Sequence, residues 1–431
     1  MGPFLATHPI AALGVLLGLA LVLQLVALAV YGWAHALSDV PHLYHLRGIR
    51  PSAPPYLQRV VEYPVLIGVT MYVMSFAGPN AVAFFLAGAV ISGALAVVVG
   101  LTLLHRSSPH LWRWVAGLPV LLFVFHNWDL LAIAPAVVGL ALFERDRDAP
   151  AGALLGLGAA AKLFPAAFVL PLAAVRIAQG RPRDAVRLVT SAGLVVLAIN
   201  LPVILAAPHR WWWTLTFHGA RRATWGSLWY WAVRVPGLEA FAGPSTANMV
   251  ALLALTVGIG LVTWAAVRRN LGAFEIAAVA TAVFLLTNKV YSPVYDLWLV
   301  PFFAALPIAR RWWVTFCIAD VGVYFVVYGN TRLGLPIEIV RLGVLCFVVL
   351  RAVSIVAVIA IVVRGSSARL PVASAQRHAR RPRSLVADGL EVDTRHGLLR
   401  TGKDDPHGLA RTHRSGGDRR VLPGCSPAGT G

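Results

Sequence analysis

The sequence predicts an all-α polytopic membrane protein. Hydrophobic residues make up 58% of its 431 residues and charged residues only 13%, and its mean hydropathy of +0.73 lies far above that of soluble globular proteins. Apolar runs of about 17–25 residues recur, which is the length that a helix needs to cross a hydrocarbon core of ~30 Å. These runs do not show the alternation of apolar and polar residues that is typical of membrane barrels.

The distribution of charge predicts the domain organisation. Much of the formal net charge of +19 lies between apolar runs and in the C-terminal region, which is typical of the cytosolic side of a membrane protein and not of nucleic-acid binding. Residues 364–431 lack hydrophobic periodicity and are predicted to form a disordered, basic cytosolic tail. Residues 1–363 then form one transmembrane domain. The first apolar run is predicted to be an uncleaved span, because no Lys or Arg precedes it and it is long for a signal peptide.

About twelve spans are predicted, with both termini in the cytosol. They cover approximately 9–33, 81–104, 112–126, 129–143, 151–161, 163–179, 187–206, 246–267, 273–287, 293–309, 312–328 and 337–363. The apolar run 64–77 is short for a span and is predicted to be re-entrant or interfacial. The two polar segments, 34–63 and 207–245, then both lie outside and face one another.

The first polar segment holds most of the titratable groups that could do aqueous chemistry, namely Asp39, His42, Tyr44, His45, Arg47, Arg50, Arg59 and Glu62. Asp39 follows the first span closely, so partial loss of hydration is expected to raise its pKa toward the range useful for a general base. Ser38 and Asp39 also precede Pro41, which is a common pattern at a helix start. Position alone leaves catalysis and helix capping equally open for Asp39.

Cations on the predicted outer side run against the usual charge bias and need a reason. Lys162 and Lys289 lie at turns between spans, and Arg47, Arg221 and Arg222 lie in the polar segments. Any one of them could reach lipid headgroups by snorkelling. The set together favours a phosphate site, because charge-assisted hydrogen bonds from several cations hold phosphate well.

Two acidic residues and an aromatic segment add candidates. Asp129 and Asp296 lie at the outer ends of predicted spans, where acidic residues are often functional, although Asn127 or Asn288 could satisfy them structurally. Tryptophans concentrate at membrane interfaces, which is the simpler interpretation of 211–213. The second polar segment nevertheless interleaves aromatic residues with polar ones, as sugar-binding surfaces do; these are His218, Arg221, Arg222, Trp225 and Ser227.

Seven motifs together resemble a known family: S-D-V-P-H-L-Y (38–44), V-E-Y-P-V-L (61–66), H-N-W-D-L-L-A (126–132), A-A-K-L-F-P (160–165), N-L-P (200–202), W-G-S-L-W (225–229) and T-N-K-V-Y-S-P-V-Y-D-L-W-L-V-P (287–301). In this order they resemble the actinobacterial multi-spanning mannosyltransferases of glycosyltransferase family 87, which have the membrane-embedded GT-C architecture. The resemblance covers about 30–330. Two positions depart from the expected pattern: Val294 stands where Gln is expected, and Asp296 is not expected at all.

The resemblance implies an inverting mannosyltransferase of the plasma membrane that uses a polyprenyl-phosphate-mannose donor on the extracytoplasmic side. It implies that Asp39 is the general base and that the acceptor is a glycolipid or polysaccharide. Lys289, Lys162, Arg47, Arg221 and Arg222 are predicted to bind the donor phosphate, and neither a metal nor another cofactor is predicted. The predicted substrate-binding residues are Tyr44, Tyr56, Glu62, Tyr63, Asn127, Asp129, His218, Trp225, Ser227, Tyr291, Ser292 and Tyr295.

Three alternatives remain at the level of the sequence. A transporter or flippase of a polyprenyl-linked glycan would use the same cationic cavity without a base, and a pentosyl (arabinosyl) transferase would share the architecture. A non-enzymatic membrane subunit would need none of the outer cations. The sequence contains no Walker loop and no dinucleotide-binding glycine motif, so the energy is expected to come from an activated lipid or an ion gradient.

Overall fold

The computed structural model describes residues 7–32, 37–333 and 336–365. In these ranges the chain is helical, with no strand and only two isolated bridges, Arg50 with Ala53 and Pro55 with Arg59. The all-α prediction is therefore confirmed. The predicted disordered tail lies outside the described residues from 366 onward and stays a prediction.

The α-helices are, in chain order, α1 Pro9–Tyr31, α2 Asp39–Arg47, α3 Val65–Ser75, α4 Ala81–His105, α5 Trp112–Val115, α6 Leu118–Phe123, α7 Leu130–Glu144, α8 Asp148–Ala161, α9 Ala166–Ala178, α10 Pro182–Ala206, α11 Pro208–Ala220, α12 Leu228–Ala232, α13 Pro244–Arg269, α14 Ala273–Thr287, α15 Val300–Ala305, α16 Arg310–Leu333 and α17 Ile337–Gly365. Two short 3-10 helices, Glu239–Phe241 and Pro293–Trp298, lie between them.

Five of these helices, α1, α4, α10, α13 and α17, are long and apolar enough to cross a membrane. Their ends follow local signals. Asn80 caps α4 by accepting a hydrogen bond from the Ala83 amide at 2.9 Å, and Asn270 ends α13 in the left-handed conformation. The chain is thus a helical membrane protein, while the predicted count of about twelve spans is not confirmed.

Several predicted spans are shorter or broken. Residues 112–126 form two short helices, α5 and α6, which part at Gly117, where a Cβ would lie 2.0 Å from the Arg113 carbonyl oxygen. Residues 293–309 form a 3-10 helix and the short α15, whose side chains are buried in protein. Hydropathy reports apolarity and does not separate a protein-buried segment from a lipid-facing one.

The predicted polar segments also differ from simple loops. The first contains α2, and the run after it forms α3, an 11-residue helix, which is too short to cross a bilayer as a helix. The second was predicted as a loop over 207–245 but contains α11 and α12. Its aromatic and apolar residues recur at helical spacing, which accounts for these helices.

Small residues bring the central helices together. A Cβ on Gly152 would lie 2.1 Å from the Leu188 carbonyl oxygen, and one on Gly156 would lie 2.4 Å from that of Ala192. Only glycine therefore permits α8 to pack this closely on α10, as is common for helices that associate within membranes. The short turn over residues 145–147 folds α8 back along α7, so the turn after α8, with Lys162, lies at the same end of the helices as the start of α7.

The basic turns lie at the end of the helices opposite to Lys162. Arg106 pairs with Glu144 at 2.9 Å, and Arg176 pairs with Asp148 at 2.7 Å. Arg181 joins Asp146 and Asp184 in the same network. The turns that contain these arginines and the turn that contains Lys162 thus lie at opposite ends of the helices.

Candidate functional site

The first turn of α2 is fixed to the segment before α7. The Ser38 hydroxyl accepts a hydrogen bond from the Val40 amide at 3.2 Å and donates to the Phe125 carbonyl at 2.9 Å. The Asp39 amide donates to the His126 carbonyl at 3.0 Å. Ser38 therefore caps the helix, and the Asp39 side chain is left for other contacts.

The carboxylate of Asp39 lies among polar side chains at the edge of the protein. One of its oxygens, Oδ2, is 3.2 Å from Asn127 Nδ2 and 3.5 Å from His126 Nε2. The same Asn127 amide is 3.0 Å from the Tyr63 hydroxyl. The Asp39 side chain remains 35% exposed whereas that of His126 is 1% exposed, so a substrate can reach the carboxylate but not the imidazole.

The pKa of Asp39 differs from the sequence-based expectation. Burial raises this pKa, as expected, but the charge and hydrogen bond of His126 and the Asn127 amide lower it, and the net pKa lies below the ordinary value of 3.8. Burial lowers the pKa of His126, yet Asp39 raises it above 6.5 overall. The prediction of a raised Asp39 pKa was wrong because it did not include His126, which lies just before α7.

Lys162 forms a second ionic contact in the same region. Its Nζ lies 2.7 Å from Asp129 Oδ1, and the Trp298 indole donates to that oxygen at 2.5 Å. The ammonium group is 5.2 Å from the centre of the Tyr295 ring, and its charge also lowers the pKa of Asp39. The prediction that Asn127 is the structural partner of Asp129 is therefore wrong. The partners of Asp129 are Lys162 and Trp298.

The helix α11 lies over the first polar segment. His218 Nε2 is 2.6 Å from the Glu62 carbonyl, and Thr214 donates to the Val61 carbonyl at 3.0 Å. Arg210 contacts the Leu57 carbonyl. The His218 side chain is exposed by surface area, but partial loss of hydration is the main cause that lowers its pKa, and the charges of Arg221 and Lys162 lower it further.

The other predicted phosphate ligands differ in how firmly protein groups hold their charged ends. Arg47 pairs with Glu62 at 2.6 Å, and Lys289 Nζ is 3.0 Å from the Gly219 carbonyl and 2.5 Å from that of Arg221. The guanidinium of Arg221 lies 5.9 Å from the Phe217 ring centre. Arg222 is exposed. Within the described ranges, no carboxylate lies at ion-pair distance from Arg221, Arg222 or Lys289.

Seven predicted substrate-binding residues are buried, namely Glu62, Asn127, Asp129, Tyr44, Tyr56, Ser227 and Tyr291. The last four have structural partners. Tyr44 packs on Phe84, the Tyr56 hydroxyl donates to the Tyr63 carbonyl at 2.7 Å, and Ser227 caps α12. Tyr291 lies beneath a guanidinium of α17. In the described ranges, none of these four side chains has a hydrogen bond or ion pair with Asp39. Tyr63, Trp225, Ser292 and Tyr295 keep partial exposure.

Sequence reasoning missed three side chains. His126 stands directly before Asn127, within a motif that was noticed, and Trp298 stands in D-L-W. Arg351 lies in a run treated as a plain span, although an ionisable residue in an apolar run is itself a signal. Arg351 pairs with Asp296 at 2.9 Å, so Asn288, the predicted partner of Asp296, was also wrong.

In the part of the chain that the structure describes, no group of three or more His, Cys, Asp or Glu side chains is placed to hold a metal ion. The residues that converge on Asp39 are instead an imidazole, an amide, a phenol and a lysine. These groups can bind hydroxyl-rich and anionic molecules and exchange protons with them.

The apolar helices and this partly exposed polar cluster are compatible with a membrane enzyme. The model of glycosyltransferase family 87 matches residues 62–288, which is more than half of the chain. The chain belongs to glycosyltransferase family 87 and is a membrane glycosyltransferase. The predicted family is confirmed, although the match does not extend to Asp39 or to the segment after residue 288. No curated protein and no solved structure gives a significant match.

Proposed function

We propose that the protein transfers mannose, with inversion, from polyprenyl-phosphate-mannose to a glycolipid or polysaccharide acceptor, with Asp39 as the general base. The family supports glycosyl transfer, and the resemblance of the motifs supports the donor. The single observation that carries the proposal is the Asp39 carboxylate, which is 35% exposed and held by a buried imidazole. Its lowered pKa keeps it ionised, and therefore able to accept a proton, near neutral pH.

The proposed reaction is one displacement. The acceptor hydroxyl gives its proton to Asp39 while its oxygen forms a bond to C1 of the sugar. The bond between C1 and the phosphate oxygen breaks on the opposite face, and polyprenyl phosphate leaves with the electron pair. His126, whose Nε2 lies 3.5 Å from the carboxylate, orients Asp39 through the transfer.

The leaving phosphate needs positive charge close to the base. Lys162 is fixed by Asp129, and its charge acts on Asp39, while the charge of Arg221 acts on His218. We assign the phosphate to the surroundings of His218, whose pKa is lowered by the charges of both Arg221 and Lys162. Arg47 and Lys289 are already bound to protein groups, and we assign them a supporting role instead of direct phosphate binding. Electrostatic stabilisation of this kind is typically worth about 2.7–4 kcal/mol for one donor.

The test is transfer by membranes that contain Asp39→Asn protein and labelled polyprenyl-phosphate-mannose. We expect transfer to fall by a factor of about 10² or more, while Asp184→Asn, a change at the opposite end of the helices, leaves it intact. Retained transfer by Asp39→Asn would remove the catalytic role. Movement of the donor across the bilayer by wild-type protein, without transfer, would favour a flippase, and transfer only from a pentose donor would favour the pentosyltransferase.

We also propose that the Asp39 cluster faces the outside of the plasma membrane, that both termini are cytosolic and that the short helices complete about twelve crossings. The basic turns at the other end support this orientation. Single cysteines at Leu57 and Arg145, in a variant that lacks the native cysteines, test it with a membrane-impermeant maleimide on intact cells. Labelling at Leu57 alone is expected, and labelling at Arg145 alone would reverse the orientation.

A further inference from the structure

A buried charge cluster beside the site connects three parts of the chain. Arg351 of α17 is 1% exposed, and its guanidinium donates to Asp296 Oδ2 at 2.9 Å and to the Gly226 carbonyl at 2.5 Å. It also lies 3.7 Å from the centre of the Tyr291 ring, and the Tyr291 hydroxyl donates to Asp296. One side chain therefore holds α17, the segment 289–298 and the loop 221–228 together.

The two segments that Arg351 joins carry the residues of the proposed site. The loop 221–228 begins with Arg221, and the segment 289–298 contains Lys289, Tyr295 and Trp298. Their backbones also pair, because the Thr224 amide donates to the Lys289 carbonyl at 3.0 Å. A Cβ on Gly226 would lie 2.3 Å from the Tyr291 carbonyl oxygen, so the contact is close enough to require glycine.

A second carboxyl group faces the same cluster. Asp320 of α16 is fully buried, and its carboxyl adjoins that of Asp296. Among the described residues, no donor gives a hydrogen bond to either of its oxygens. One guanidinium neutralises one carboxylate, and two carboxylates that share a buried site do not both ionise. Because Asp296 makes the hydrogen bonds to Arg351 and Tyr291, Asp320 is the neutral member.

We propose that Arg351 is a positioning residue that fixes the loop 221–228 against the segment 289–298, with Asp296 as its charged partner and Asp320 as a reserve carboxyl that ionises when Asp296 is lost. The effect on catalysis rests on the proposed glycosyl transfer, whereas the effect on local structure does not. The reserve role predicts strong non-additivity between the two acidic positions.

The experiment compares six variants of the full chain in detergent: Arg351→Lys, Arg351→Met, Asp296→Asn, Asp320→Asn, the double variant Asp296→Asn/Asp320→Asn, and the control Arg341→Gln on the exposed face of the same helix. Amide hydrogen exchange reports the local structure of 221–228 and 289–298, and transfer kinetics report kcat and KM. Arg351→Lys keeps the charge but not the planar, multiple hydrogen bonding, so it remains informative if Arg351→Met does not fold.

We expect Asp320→Asn and Arg341→Gln to match wild type and Asp296→Asn to show a small effect, because Asp320 then pairs with Arg351. The double variant and Arg351→Lys should speed exchange in 221–228 and 289–298 only, and lower kcat by about tenfold or more with a smaller change in KM. Equal effects of Asp296→Asn and the double variant would overturn the reserve role, and unchanged exchange in Arg351→Lys would overturn positioning. If wild-type protein transfers no sugar while exchange responds as expected, only the proposed function fails.

Discussion

Lys162 and Asp129 form a nearly dry ion pair beside the candidate site, with Nζ 2.7 Å from Oδ1 and side-chain exposures of 10% and 0%. The pair joins the turn after α8 to the start of α7. It fixes the lysine that the proposed reaction places near the leaving phosphate, so its contribution to folding can be measured separately from its contribution to transfer.

Asp129→Asn should destabilise the protein, because it leaves the Lys162 charge without its buried partner. The expected loss is about 3–5 kcal/mol, measured as unfolding in detergent, and the double variant Asp129→Asn/Lys162→Met should regain part of it. Glu144→Gln is the matched control. Its pair with Arg106 is 25–30% exposed, so a loss of at most about 1 kcal/mol is expected. Equal losses at the two sites would contradict the assignment of Lys162–Asp129 as a buried pair.

His126→Asn should move the acid limb of the pH–rate profile to higher pH. The base works only when ionised, so activity is lost as pH falls through the pKa of Asp39. His126 lowers the pKa of Asp39 and burial raises it, so the pKa should rise when His126 is removed. The acid limb should then move by about one to three pH units. The measurement is kcat/KM against pH. His105→Asn, at the opposite end of α4 from the site, should leave the profile unchanged, and an unshifted limb in His126→Asn would rule out this charge coupling.

Gly68→Ala should disturb the packing of the first polar segment. An added Cβ would lie 2.3 Å from the Tyr56 hydroxyl and 2.4 Å from its ring, and Tyr56 is itself held at a positive φ of 64°. A loss of about 1–3 kcal/mol in the free energy of unfolding is expected from overpacking. Transfer should also be reduced, because Glu62 and Tyr63 follow the displaced Tyr56 in the chain. Gly193→Ala, where nothing lies within 4 Å, should be neutral or stabilising by up to about 1 kcal/mol. Similar unfolding midpoints for both variants would contradict the tight contact.

Arg47 and Glu62 should behave as one unit. If Arg47 acts through its 2.6 Å contact with Glu62, then Arg47→Gln and Glu62→Gln raise the donor KM equally, and the double variant is no worse than either. A coupling free energy of about 1 kcal/mol or more is expected from the double-mutant cycle. An increase in KM for Arg47→Gln alone would instead place this guanidinium directly on the donor phosphate.

The helical membrane class was predictable because hydropathy depends on local composition. The ends of α4 and α14 agree with the predicted runs within a few residues, since caps and glycines mark them locally. Segments such as 112–126 were not predictable, because an apolar sequence is equally suited to lipid and to a protein interior. Only packing, here around Arg113 and Gly117, shows which surroundings apply.

The candidate site was predictable as a set of segments but not as a set of contacts. Asp39 stood out by its position after the first span, yet its partner Asn127 lies 88 residues away in the chain. Arg351 and Asp296 are separated by 55 residues, and of the two only Asp296 stood out in the sequence. Pairings of this kind depend on how the helices are arranged, and a single sequence contains no direct record of that arrangement.

The contact between α11 and the first polar segment has a consequence for biosynthesis. Thr214 lies 153 residues after Val61, and His218 lies 156 residues after Glu62. During synthesis the ribosome therefore makes the segment with Asp39 long before its covering helix, and several helices must be inserted in the meantime. The contact between the two segments therefore forms late in synthesis, and a chain arrested before α11 should lack it.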